Sequence, residues 1–188
     1  MDPLWAELIN SDWHDYLGQG RDEDRLDKPS WLAEFLSRWG LPRLDVESPG
    51  SRRRLRELRV LLSRLALKLH GQKPLSVRDL TDLNTFLDRE SVVRRLRRDK
   101  EGYTLYYVPV KGSLNAVLSE ITASFADMLT SGDPTRIRVC ENRDCRWIMY
   151  DRSKNRTRRW CEGPTGCGNL IKVRRHRARK RQQATHQQ

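Results

Sequence analysis

The chain has 188 residues, with 37 Lys+Arg against 25 Asp+Glu and a formal net charge of +12. A hydrophobic content of 37% and a mean hydropathy of −0.81 imply a lean core under an ionic surface, and no apolar run approaches the roughly 18 residues of a bilayer-spanning helix. No basic segment followed by an apolar one opens the chain, so a cytoplasmic protein is expected, and a pI near 10.1 points to an anionic partner, nucleic acid ahead of a membrane surface.

In chain order, Asp2-Pro3 reads as an N-cap with proline at the first helical position. Leu4, Trp5, Leu8, Ile9, Trp13, Tyr16 and Leu17 continue at roughly helical spacing until Gly18 and Gly20. Arg21 to Lys28 reads as a solvated loop. Pro29-Ser30 opens a second helix with Trp31, Leu32, Phe35, Leu36 and Trp39 on one side and Gly40 as its stop. Residues 41–50 form a connector. Ser51 caps a third helix whose Leu55, Leu58, Leu62, Leu65 and Leu69 make a stripe at steps of three and four. Ser76 and Asp79 resemble a capping box opening a fourth helix, with Val77, Leu80, Leu83, Phe86 and Leu87 inward. Val92–Arg98 and Tyr103–Val110 flank a glycine turn and read as a hairpin. Gly112-Ser113 starts a fifth helix, buried through Leu114, Val117, Leu118, Ile121, Phe125, Met128 and Leu129. Ser131-Gly132-Asp133-Pro134 breaks it. Residues 1–133 are thus expected as a mostly helical body, 134–182 as a small module and 183–188 as a disordered tail. Asn10, Trp13 and His14 could line an effector pocket, but an interior structural role is the stronger reading.

All four cysteines lie in the module, and so does the whole net charge: residues 136–188 hold 16 Lys+Arg against 4 Asp+Glu, while residues 1–135 hold 21 of each. Cys140, Cys145, Cys161 and Cys167 are spaced C-x4-C, fifteen residues, then C-x5-C. Two short-spaced pairs joined by a loop can converge tetrahedrally on zinc, and Gly163, Pro164 and Gly166 let the wider pair turn. Disulfides or unrelated buried thiols are the alternatives, which a reducing compartment disfavours. Four thiolates leave no open coordination position, so one structural Zn2+ is expected, supplying on the order of 10 kcal/mol to a module too small for its own core. Trp147, Ile148, Tyr150 and Trp160 are expected to cover the metal; a Trp stacking on a base is the lesser reading. His176 is not counted as a ligand.

The run Arg138-Val-Cys140-x4-Cys145-x-Trp147, Asp151-x-Ser-x-Asn155-Arg156, Trp160-Cys161 and Cys167-Gly168-Asn169 with Lys172, Arg174, Arg175, His176 and Arg177 resembles the CGNR-type zinc finger. The body is similar to the helical ABATE domain that precedes this finger in bacterial stress-induced transcription regulators; Asn10-Ser11 and Trp31-Leu32…Trp39-Gly40-Leu41 carry that likeness. Two departures stand out: Leu170 replaces the arginine of the fingerprint, and the second cysteine pair is one residue wider than usual. The resemblance implies a sequence-specific DNA-binding finger on a regulatory body.

The residues allow the same reading independently. Leu170, Ile171 and Val173 can root a helix opening at Gly168-Asn169, and the basic run that follows has nothing to pack, so it should order on a polyanion. Lys172, Arg174, Arg175, Arg177 and Arg179 would contact DNA from that helix. Arg152, Lys154, Asn155, Arg156, Arg158 and Arg159 would contact it from the loop between the cysteine pairs. Arginine outnumbers lysine 13 to 3 in residues 136–188, which suits bidentate contact to guanine and phosphate. Asn155 and Asn169 are candidates for adenine edges, Asn169 equally for a structural cap. The expectation is therefore a mainly α protein: a helical body with one β-hairpin, then a zinc module of short strands and a basic helix. Double-stranded DNA is the expected partner, RNA the alternative, with no membrane partner and room for a homodimer through the body. A nucleoid-associated place follows. No glycine phosphate loop, two-His metal motif or nucleophile–base pair is present in the sequence, so an enzyme is not expected.

Overall fold

Six α-helices and three two-stranded antiparallel sheets make up the described residues of the computed structural model, which are 2–100, 102–109, 114–161 and 166–185. The fold is mainly α, as the sequence predicts. Its core forms where α1 (Leu4–Ile9), α3 (Pro49–His70) and α5 (Leu114–Thr130) pack together. Leu55, Leu58, Leu62 and Leu65 of the α3 stripe are fully buried, each contributing about 2 kcal/mol of transfer free energy. Leu69 is half-buried. Trp5 is fully buried and meets Phe125 edge-to-face at 5.3 Å. α2 (Pro29–Arg38) ends as expected, with Gly40 at φ +61 and the Leu41 amide returning to the Leu36 carbonyl at 2.9 Å.

Four expectations change. First, α1 stops at Ile9 and does not reach Leu17, and Pro3, not Asp2, takes the N-cap position. The Asn10 amide is drawn into contacts outside the helix, and the next residues form β1 (Asp12–Trp13), paired with β2 (Glu23–Asp24). Second, residues 21–28 are not a solvated loop. They contain β2 and a 3-10 turn, Arg25–Asp27, whose Leu26 is fully buried. Third, Ser48 rather than Ser51 caps α3, because Pro49 takes the first helical position. Fourth, α4 (Val77–Leu87) has the expected capping box, but of its expected inward residues it buries Leu83 and Phe86; Leu87 is half-buried, and Val77 and Leu80 face solvent.

The hairpin is present, with β3 (Val92–Asp99) paired to β4 (Gly102–Pro109). Val110 and the expected helix start at Gly112-Ser113 lie outside the described residues. A third pair, β5 (Ile137–Val139) with β6 (Ile148–Tyr150), follows the break after α5. Ile137 and Ile148 belong to the body's own core. No described helix is long and apolar enough to cross a membrane.

Charges inside the body are paired. Asp24 accepts from Arg59 Nη1 at 2.7 Å and from Arg56 Nε at 2.7 Å, and Arg64 and Lys68 both reach Asp79. Burial alone would push the Asp24 carboxyl up, but the two guanidiniums outweigh it and hold it at about 2 against an ordinary 3.8. A depressed carboxyl contributes stability that is present above the unfolded value and lost as pH falls through the folded one. Asp24 therefore supplies about 2 kcal/mol at neutral pH, lost between about pH 4 and pH 2. Urea denaturation across that window should show Asp24→Asn losing less stability on acidification than the wild type, from a lower starting point. Asn10→Ala should cost about 2–4 kcal/mol in the same assay at pH 7, since it strands two buried backbone groups.

Candidate metal centre and basic face

Much of the metal module's attachment to the body runs through residues 2–25. Asn10 donates from Nδ2 to the Ile148 carbonyl at 2.7 Å and accepts the Ile148 amide at Oδ1, 2.9 Å. Trp147 Nε1 donates to Asp2 at 2.9 Å, and Asn142 Nδ2 to the Tyr16 carbonyl at 2.8 Å. Arg25 lies 5.9 Å from the centroids of both Trp13 and Trp147. Asn10 and Trp13 thus do structural work at this seam, and His14 is held between Asp22, at 3.0 Å, and Asp12.

β5 and β6 set the first half of the cluster. The Cys140 amide donates to the Trp147 carbonyl at 2.8 Å, and the Cys145 amide to Asn142 at 2.9 Å. Arg146, at φ 53, turns the chain sharply after Cys145. The Glu141 amide then reaches the Arg159 carbonyl at 2.9 Å, which brings Cys161 back beside the first pair. Cys167 opens α6 (Cys167–Thr185), with Gly166 before it at φ +54. A sulfur in that first turn faces the positive end of the helix.

All four sulfurs are buried and lie within 4.8 Å of one another, and Cys145 and Cys161 are 3.6 Å apart. No disulfide joins them. A tetrahedral zinc–thiolate site with bonds of about 2.3 Å has sulfur–sulfur edges of about 3.8 Å, so the cluster fits such an ion. Hydrogen bonds from the Cys145 and Cys161 thiols hold Cys140 well below the ordinary thiol range. Asn142, itself buried, donates to the Cys167 sulfur at 3.4 Å. Four closely packed thiols backed by a buried amide donor make a metal-binding site.

The covering of the sulfurs differs from the expectation. Trp147 and Trp160 pack against them as predicted, but Ile148 and Tyr150 belong to the body core. Met149 and Tyr16, which sequence reasoning missed, take their place. The two sides of β6 explain this: residues 148 and 150 face one way, 147 and 149 the other.

The basic candidates divide into two groups. Some hold the module together. Arg156 reaches Asp133 at 3.0 Å, and Arg158 Nε donates to the Trp160 carbonyl at 3.2 Å. Arg159 pairs with Glu141 through two nitrogens and lies 4.9 Å from the Trp160 ring centroid. Arg174 donates to the Leu17 carbonyl at 2.9 Å and to Asp144 at 3.4 Å. The others, Arg152, Lys154, Lys172, Arg175, Arg177 and Arg179, are exposed with no ion pair among the described residues. Asn155 and Asn169 are also exposed. Leu170 and Ile171 are half-buried at the base of α6, whereas Val173 is largely exposed and does not root it. Asp151, part of the run that resembles the finger but given no role from the sequence, is fully buried and organises the loop by accepting the Ser153 amide at 2.9 Å and the Arg158 amide at 3.1 Å. Gly163 and Pro164 lie outside the described residues.

Comparison with known families meets this geometry at two places. The family described as "Putative stress-induced transcription regulator", ABATE, matches residues 2–132, about seven-tenths of the chain. The chain belongs to the ABATE family. Residues 136–180 match the CGNR zinc finger, which spans the four-sulfur cluster and most of α6. No curated protein matches the chain. The half-buried Leu170 stands at the arginine position of the finger's fingerprint, where an apolar side chain serves packing at the helix base.

Asn142→Ala should lower metal affinity roughly 10- to 100-fold while leaving the body folded. Competition against a chromophoric chelator measures the first, and far-ultraviolet circular dichroism the second. Unchanged affinity would show that the amide serves only the Tyr16 carbonyl.

Proposed function

We propose that this chain is a DNA-binding transcription regulator whose C-terminal finger, closed by one structural zinc, presents α6 and the 152–159 loop to duplex DNA. The observation that carries this reading is the row of exposed cations on α6 with no ion pair among the described residues, fixed at its base to a thiol cluster in a family of transcription regulators. A helix fits the major groove, and arginine forks suit guanine edges and phosphates. Arg175, Arg177 and Arg179 with Lys172 are the contacts from α6; Arg152, Lys154 and Asn155 are those from the loop. Arg156, Arg158, Arg159 and Arg174 shape the surface that carries them. Closed four-thiolate coordination offers no position for substrate or water, which supports a binding protein and not an enzyme. A cytoplasmic, nucleoid-associated place follows from this reading.

The test is metal analysis of the purified full chain followed by selection from random duplex DNA, with structured RNA as competitor. One zinc per chain and an enriched sequence are expected, and paired half-sites at fixed spacing would add a dimer. Arg175→Ala with Arg177→Ala and Arg179→Ala should reduce the slope of log affinity against log salt by about 2–3, at about 0.9 per phosphate contact. A zinc-bound protein that enriches no duplex, or that prefers the RNA, overturns the proposal.

A further inference from the structure

The hairpin β3–β4 is the least explained part of the body. Every residue of β3 is exposed, on both faces of the ribbon. Leu96 is 66% exposed, Leu105 54% and Tyr103 73%. A two-stranded hairpin with one strand wholly exposed is marginal in water, so its use lies in what covers it.

Its register shows what that is. Arg94, Leu96 and Arg98 share one face with Leu105 and Tyr103; Arg95 and Arg97 share the other with Thr104 and Tyr106. Each face therefore carries two arginines. All four are exposed and none has a carboxylate partner among the described residues. Two lie instead over aromatic rings, Arg97 at 5.4 Å from the Tyr106 centroid and Arg98 at 6.0 Å from that of Tyr103. Residues 92–109 hold five Lys/Arg against two Asp/Glu, a net of +3 within a body that is otherwise close to neutral. A second copy of the chain would bring the same charges against each other. A flat anionic surface would use one face and leave two arginines idle. A groove walled on both sides by phosphates uses both, and the major groove admits a two-stranded ribbon.

We propose that the β3–β4 hairpin is a second nucleic-acid contact, a basic ribbon entering the major groove of the duplex that the finger binds. This rests on the reading of the finger as a DNA binder. The ribbon leads into the start of α5, while the metal module follows its end. α5, 17 residues and about 25 Å long, separates the two in the chain.

The test uses the full chain and a mixed-sequence duplex of about 30 base pairs, followed by anisotropy between about 50 and 200 mM salt. Four variants are compared with wild type: the hairpin quadruple change Arg94→Ala, Arg95→Ala, Arg97→Ala and Arg98→Ala; the same four changed to Lys; the α6 triple change above; and both alanine sets combined. All four arginines are exposed, so circular dichroism should show each hairpin variant folded. The expected result is a salt slope lower by about 2–4 for the alanine quadruple, largely restored by lysine, and additive with the α6 loss. If wild type binds and the alanine quadruple binds with the same slope, the ribbon is not a DNA contact, while the finger reading stands. If the quadruple instead changes only the sedimentation mass, the ribbon is a self-association arm and the proposal fails. If wild type binds no duplex, both readings fall together.

Discussion

A single amide side chain couples the two parts of this molecule. Ile148 lies opposite Val139 in a two-stranded sheet, while its own amide and carbonyl are satisfied by Asn10. That edge lies under α1, where an unpaired backbone would carry the full cost of desolvation. Asn10 stands in for a third strand, because its planar amide offers one donor and one acceptor at the spacing a neighbouring backbone would. The side chain of Ile148 meanwhile completes the core of the body. The metal module's own apolar cluster is therefore small, the sulfurs with Met149, Trp147 and Trp160. Its order derives from the sulfur cluster on one side of β6 and from the body on the other.

The same division governs the charges. Outside the hairpin the body pairs many of its ionic groups internally, as Asp24 with Arg56 and Arg59 and Asp79 with Arg64 and Lys68 show. The module has too few carboxylates to do so, with 4 against 16 basic residues in 136–188. Three of the four are committed to the fold: Glu141 holds Arg159, Asp144 reaches Arg174, and Asp151 is buried to fold a loop. What remains positive is concentrated on the outer part of α6 and the tip of the loop. The unpaired charge is thus a consequence of which arginines the fold needs for itself.

Much of this was legible in the sequence. Four cysteines confined to one segment, with turn-forming residues between the second pair, defined the cluster before any geometry. The leucine stripe of α3 and the capping box of Ser76 and Asp79 were equally plain, since both rest on local spacing. The misread stretch is 10–28, where Trp13 and Tyr16 fall at helical spacing but the chain does not follow. Asp15 explains much of it. Its carboxylate takes the amides of Leu17 at 3.1 Å and Gln19 at 3.0 Å, a local alternative to helix that aspartate favours. The freed aromatic side chains then face the module, and only tertiary contact decides that. The roles of Met149 and Ile148 were recoverable: once residues 148–150 are a strand, alternation assigns one to the sulfurs and the other to the body.

The direction of α6 follows from these same contacts. A cluster of four thiolates fixes the base of the helix at Cys167 but leaves its far end to lever freely. Arg174, two turns on, is tied to the Leu17 carbonyl and to Asp144. Gly18 lies close enough to Asp144 that an added Cβ would come within 2.9 Å of its carboxylate. The loop that ends in Gly18 and Gly20 is therefore pressed against the first cysteine pair and holds the helix by a backbone carbonyl. The aim of the basic helix is set by the N-terminal loop of the body as much as by the metal site, so the body's conformation and the presentation of the finger are physically one variable.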